Sequence, residues 1–121
     1  MKLSHVYIFN TIVAIVYAIG LLIVPATVMT LHGISTDPST LLMARYFGVA
    51  LVGIGLTTWL ARNSDNSQAK DAITLGFMIS YIVGFVVSLQ ATLIGQMNAV
   101  GWLPVVIYLV LTAGLGYFRS R

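Results

Sequence analysis

The chain has 121 residues, of which 59% are hydrophobic and 7% are charged, whereas a typical soluble domain is about 25% charged. A water-soluble domain of this size cannot bury so much apolar surface, so the composition excludes that class. The absence of cysteine also excludes disulfides, thiolate metal sites and cysteine nucleophiles.

Four apolar segments follow one another along the chain, and each approaches the roughly 20 residues that a helix needs to span a bilayer. They predict helices over residues 6–31, 38–61, 68–96 and 99–118. The first segment is longer than the apolar part of a secretory signal, so we expect it to be retained as a helix. The predicted fold class is all-α: residues 1–121 form one polytopic membrane domain, a four-transmembrane-helix bundle.

Local signals mark the ends of these helices. Pro25 should kink the first helix, because proline removes a backbone hydrogen bond. Asp37 followed by Pro38 is typical of an N-cap and a first helical residue, and Ser67 is a suitable cap for the third helix. The last connection, around QMNAVGW, is short and uncharged, which favours a tight helical hairpin.

The basic residues predict the orientation. In a four-helix topology five of the six lie on one side of the membrane: Lys2, Arg62, Lys70, Arg119 and Arg121. The positive-inside rule then places both termini and the central loop in the cytoplasm. The net charge of +3 is spread over helix ends and forms no nucleic-acid patch, so membrane lipids are the expected partners.

Small residues recur at helical spacing on all four predicted helices, including one face of the first (Asn10, Ala14 and Ala18) and one stripe of the fourth (Pro104, Tyr108, Thr112 and Gly116). Gly48 and Gly55 share one stripe of the second helix, and the third helix carries a ladder in steps of four: Gly76, Ser80, Gly84 and Ser88. Such stripes let helices approach closely in lipid, so they predict helix packing within the bundle or between copies. A lining for a pore or a ligand channel is the alternative interpretation.

Arg45 is the one charged residue inside the second span, about 11 Å along the helix from the cap at Asp37. It lies at the edge of the glycine stripe, so we expect it to face protein rather than lipid. Its guanidinium either snorkels to headgroups or holds a carboxylate, a phosphate headgroup or a quinone oxygen. Gln90 and Gln96 should lie at a similar depth and are further ligand-binding candidates.

The predicted spans lack the kinds of side chain that would indicate an enzyme. The chain has no glutamate, and its three aspartates belong to loops or helix ends, whereas proton-coupled transport normally needs a buried titratable group. We therefore expect no enzyme activity and no cofactor. One open alternative is a Cu(I) site formed by thioether and imidazole groups near the outer ends of the helices. The members of this methionine and histidine rim are Met29, His32, Met43 and Met97. Methionine also fills gaps in apolar packing.

The segment MARYFGVALVGIGLTTWLARN and the later NAVGW resemble small four-helix bacterial membrane proteins of the DoxX-like group. The shared feature is an arginine early in a helix, followed by spaced glycines. The resemblance implies a four-helix bundle in a prokaryotic cytoplasmic membrane, and Arg45 is the only functional candidate that it carries over.

Two hypotheses for function follow. The first is a structural or accessory subunit, or a homo-oligomeric scaffold, because small-residue ladders are abundant and catalytic groups are not. The alternative is a binder or carrier of a small amphipathic or anionic ligand through Arg45. A tight, filled bundle interior would favour the scaffold, and density for a lipid-like molecule between the helices would favour the binder.

Overall fold

The computed structural model describes residues 2–64 and 67–119. Within these ranges the chain is helical and contains no strand, which confirms the all-α class. The elements in chain order are α1 (Leu3–Ile23), α2 (Pro25–Leu31), α3 (Pro38–Ala61), α4 (Gln68–Leu93), a 3-10 turn (Ala99–Gly101) and α5 (Trp102–Arg119). Four helices are long and apolar enough to cross a membrane: α1, α3, α4, and α5 together with the turn before it.

The predicted first helix, residues 6–31, is wrong as one continuous span, because Pro25 breaks it. Val24 leaves the helical conformation (φ −130°, ψ 59°), and Pro25 starts α2 at a position where its missing N–H costs nothing. Helix α2 then folds back along α1, since the Tyr17 hydroxyl lies 3.2 Å from His32 Nε2. A straight helix would separate two residues 15 apart by about 22 Å.

The other helix ends follow local chemistry. The Asp37 carboxylate accepts a hydrogen bond from the Thr40 N–H at 2.9 Å, and α3 has the predicted range. The Ser67 hydroxyl caps α4 in the same way at 3.1 Å. Helix α4 ends at Leu93, before the predicted residue 96, and Gly95 adopts a positive φ of 84° in the turn that follows, a conformation that suits a residue without Cβ.

The four long helices pack as two pairs. Helix α1 packs against α3 and α4 against α5, and the pairs meet mainly along α1 and α5, whereas α3 and α4 make almost no direct contact. The buried core lies where the two pairs meet: Val6, Tyr7, Tyr81, Leu111 and Leu115. The bundle is therefore closed on three sides and open along the seam between α3 and α4.

One end of the bundle, which we call the basic end, carries Lys2, Arg62, Lys70 and Arg119. Lys70 is buried there, and its Nζ donates to the backbone carbonyls of Ser64 (2.9 Å) and Arg62 (3.4 Å) just beyond α3. Arg121, the fifth basic residue of the predicted set, lies outside the described residues. The opposite end, the His32 end, has no lysine or arginine in residues 32–37 or 94–98.

Candidate functional site

A cavity of about 340 Å³ lies between the four long helices. This volume falls within the range of about 300–1,000 Å³ that is usual for small-molecule pockets. The lining is mostly apolar; its members are Asn10, Val13, Ala14 and Tyr17 of α1, Phe47, Leu51 and Ile54 of α3, Ser80, Tyr81, Val83, Gly84 and Val87 of α4, and Pro104, Ile107, Tyr108 and Leu111 of α5. The bundle interior is thus not filled by its own side chains.

Asn10 joins three helices on the floor of the cavity. Its Oδ1 accepts a hydrogen bond from the Tyr81 hydroxyl at 2.6 Å, and its Nδ2 donates to Thr58 Oγ at 3.3 Å. Thr58 Oγ also lies 2.7 Å from Thr11 Oγ. Because Asn10 and Thr58 are almost completely buried, these bonds replace the water that the polar groups would otherwise need. They hold α1, α3 and α4 at a defined spacing around the cavity.

Tyr17 occupies the wall nearest the His32 end. His32 Nδ1 lies 2.9 Å from the Val28 carbonyl, which can only accept, so Nδ1 carries a proton. In the neutral ring Nε2 is then an acceptor, and the Tyr17 hydroxyl donates to it across 3.2 Å. The fold-back of α2 thereby fixes the direction of the Tyr17 side chain.

Tyr108 reaches the cavity from α5 because Gly84 leaves room for its ring. A Cβ at Gly84 would come within 2.9 Å of the Tyr108 ring, a distance that real contacts do not show. The Tyr108 ring also lies 5.7 Å from the Tyr81 ring, centroid to centroid. Its hydroxyl has no hydrogen-bond partner among residues 2–64 and 67–119.

The cavity opens sideways, along the seam between α3 and α4. Three of its lining side chains are also exposed on the outside of the bundle: Phe47 at 46%, Val83 at 56% and Val87 at 59%. The helices around the seam are long and apolar enough to cross a membrane, so in a bilayer that they span, an opening here would face the hydrocarbon region. A molecule dissolved in the membrane could enter without crossing a polar surface.

Arg45 does not take part in this cavity. It is exposed and has no hydrogen bond or ion pair with any residue that the structure describes. At about 100° per residue it lies roughly 160° around α3 from Phe47, which lines the cavity. The prediction that Arg45 faces protein is therefore wrong within one chain. Gln90 and Gln96 are also exposed and line no part of the cavity, so none of the three predicted ligand-binding residues belongs to it.

The small-residue stripes divide into buried and exposed parts. Gly48 and Gly55 are buried against α1, beside Leu21 and Ile15 respectively. In the ladder of α4, Gly84 packs against Tyr108 of α5. Ser88 is buried, and its hydroxyl donates a hydrogen bond to the Gly84 carbonyl of its own helix at 2.7 Å. Gly76 and Ser80 are exposed, and a Cβ at Gly76 would meet nothing within 4 Å.

The methionine and histidine rim gains no support from the geometry around His32. Both ring nitrogens already have partners, the Val28 carbonyl and the Tyr17 hydroxyl, so the neutral ring has no free lone pair for a metal. Met43 is 60% exposed on the outside of α3. The described residues also contain no group of three or more histidine or acidic residues that could hold a metal ion.

One comparison with known proteins identifies the family. A family model described as a domain of unknown function, DUF8292, matches residues 3–118. The chain belongs to this family. No curated protein and no solved structure matches it. The DUF8292 match does not bear on the DoxX-like resemblance, which stays a prediction.

Of the polar cavity residues of this DUF8292 chain, Asn10, Ser80 and Tyr108 lie on stripes that the sequence analysis identified, whereas Tyr17 and Tyr81 were missed. Tyr17, Tyr81 and Tyr108 lie inside the spans rather than at their ends, where tyrosines of the interfacial belt belong. A tyrosine at mid-span must find a partner inside the bundle or in a ligand, because lipid tails offer none. Their position within the apolar segments was the available signal.

Proposed function

We propose that this protein binds a lipid-soluble small molecule in the cavity between its four long helices. The observation that carries the proposal is the cavity itself: about 340 Å³ of space, walled by apolar side chains and a few polar ones in a bundle that is otherwise closed. An apolar pocket with a small number of convergent polar groups is the usual form of a small-molecule site. The open seam between α3 and α4 supplies a route from the bilayer.

A matched pair of substitutions tests this proposal. Val87 and Val86 are adjacent on α4 and similarly exposed, at 59% and 56%, but only Val87 lines the cavity. Val87→Trp should therefore narrow the seam and the cavity, while Val86→Trp should only add an aromatic ring to the outer surface.

The measurement is organic extraction of each purified variant, followed by mass spectrometry of the small molecules that it retains. We expect the wild type and Val86→Trp to retain the same apolar compound at a fixed ratio to protein, and Val87→Trp to lose it. Equal retention by both variants, or retention of nothing but bulk lipid by the wild type, would count against a ligand in the cavity.

A scaffold formed by several copies is the second candidate, and the exposed half of the α4 ladder favours it. Gly76 is exposed, and a Cβ there would meet no described residue within 4 Å. It therefore presents a flat surface of the kind that lets a second helix approach in lipid. Gly76→Leu should then lower the mass of the detergent-extracted particle to that of one chain. An unchanged mass would remove this surface from consideration as the contact between copies.

We further propose that the chain lies in a prokaryotic cytoplasmic membrane with both termini in the cytoplasm. The support is the charge distribution: the basic end carries Lys2, Arg62, Lys70 and Arg119, and the His32 end has no basic residue in its loops. Reporter fusions at residues 35, 66 and 98 test it. A reporter at residue 66 that is active only outside the cytoplasm would reverse the orientation.

A further inference from the structure

The hydrogen-bonding state of the cavity wall defines what kind of ligand it accepts. Five lining residues carry polar groups: Asn10, Tyr17, Ser80, Tyr81 and Tyr108. None of the lining residues is acidic, basic or a histidine, so an ion placed here would lose its hydration without gaining a countercharge, at a large cost. The part of the ligand inside the cavity is therefore uncharged.

Most of the donors on the wall are already used. The Tyr81 hydroxyl donates to Asn10 Oδ1, and the Tyr17 hydroxyl donates to His32 Nε2 in the neutral ring. Asn10 donates one of its two amide protons to Thr58 Oγ. Among the lining residues, the Tyr108 hydroxyl has no partner in the described chain, and Ser80 offers a second free hydroxyl at the exposed seam. Asn10 retains one further amide proton, but its side chain is almost completely buried.

An unused donor inside a membrane bundle is costly, because neither water nor lipid tails satisfy it. Tyr108 is moreover positioned rather than loose, since its ring lies against Gly84 and near Tyr81. A ligand that brings an acceptor oxygen to this hydroxyl would remove the cost of leaving it unpaired.

We infer that the cavity binds an uncharged hydrocarbon molecule bearing a carbonyl group, whose oxygen accepts a hydrogen bond from the Tyr108 hydroxyl. This inference rests on the proposed function and adds the chemical class of the ligand. The same carbonyl chemistry occurs in the esters of neutral lipids and in alkyl quinones. Arg45 has no part in it, and the anionic ligand expected from the sequence does not match this cavity.

The test compares three probes that share a decyl chain: methyl undecanoate for the ester, decyl-benzoquinone for the quinone, and decylbenzene as a hydrocarbon without an acceptor. Each is titrated into lipid nanodiscs containing the full chain, and binding is followed as the rise in melting temperature with the mole fraction of probe. The variants are Tyr108→Phe, which keeps the ring on Gly84, and Tyr46→Phe as a control on an exposed tyrosine that does not line the cavity.

We expect the wild type and Tyr46→Phe to bind a carbonyl probe more tightly than decylbenzene. Whether the ester or the quinone probe binds more tightly then shows whether the natural ligand is a neutral lipid or an alkyl quinone. Tyr108→Phe should bind decylbenzene unchanged and lose about 2- to 12-fold in affinity for the carbonyl probe, the effect of one net hydrogen bond. A carbonyl preference that survives in Tyr108→Phe would overturn the inference while leaving the proposed function intact. Failure of every probe to bind the wild type would overturn both.

Discussion

Thr58→Val tests whether the polar network holds the walls of the cavity in place. The substitution keeps the shape of the side chain and removes its hydroxyl, which accepts from Asn10 Nδ2 at 3.3 Å and lies 2.7 Å from Thr11 Oγ. Interhelical hydrogen bonds in membrane proteins contribute about 0.6 kcal/mol each on average and about 1.7 kcal/mol at most. Losing two of them should lower the free energy of unfolding by about 1.2 kcal/mol.

Two other threonines provide matched controls for this substitution. Thr57 is exposed, and its hydroxyl donates only to the Gly53 carbonyl of its own helix. Thr112 Oγ is buried and has no partner among the described residues, so replacing it removes an unsatisfied polar atom. Thr57→Val should therefore change stability little, and Thr112→Val should be neutral or stabilising.

The assay is reversible unfolding in mixed micelles at increasing fractions of a denaturing detergent, followed by the loss of helical circular dichroism. The account predicts that Thr58→Val alone is clearly destabilised among the three. If Thr58→Val and Thr57→Val lost the same free energy, the hydrogen bonds between α1 and α3 would not contribute measurably, and the reasoning about the cavity floor would be refuted.

Further predictions concern the glycines of α4 and the cap of α3. Gly84→Ala should destabilise the bundle by about 1–3 kcal/mol through overpacking, because the new Cβ would meet the Tyr108 ring at 2.9 Å. At Gly76 a new Cβ would meet no described residue within 4 Å, so Gly76→Ala should instead stabilise the helix by up to about 1 kcal/mol through its higher helix propensity. The same unfolding assay measures both effects. Hydrogen bonds to the Asp37 carboxylate, of which the one from the Thr40 N–H has the largest effect, hold the pKa of Asp37 below its ordinary 3.8. The stabilising effect of this carboxylate is therefore complete above pH 3.8 and is lost as the pH falls through the lowered pKa. Melting curves at falling pH should show a small loss of stability that Asp37→Asn lacks, and identical pH profiles would contradict this cap.

The elements predictable from the sequence are those determined by neighbouring residues. Asp37 before Pro38, and Ser67 before the third apolar segment, mark the starts of α3 and α4 because a cap acts within one helical turn. The length of the apolar segments sufficed to predict four helices of membrane length, since hydrophobic thickness is a local requirement.

The features that the sequence did not reveal depend on contacts between distant residues. The proline at position 25 predicts a kink, but only the Tyr17–His32 bond shows that α2 folds back. The ladder of α4 is periodic throughout, yet a Cβ at Gly76 would meet no described residue within 4 Å, whereas one at Gly84 would meet Tyr108 of α5. Which half is buried depends on where the other helices lie. The cavity is likewise a property of four helices together, and no single segment encodes it.

The most direct test of a ligand in the cavity is photolabelling in lipid nanodiscs with an alkyl probe that carries a diazirine, followed by mass spectrometric mapping of the labelled residues. The account predicts saturable labelling of cavity residues such as Ala14, Tyr81 and Tyr108, which excess unlabelled competitor suppresses and Val87→Trp abolishes. Labelling that never saturates and is confined to outward-facing side chains such as Val86 would contradict the claim that this bundle holds a lipid-soluble molecule between its helices.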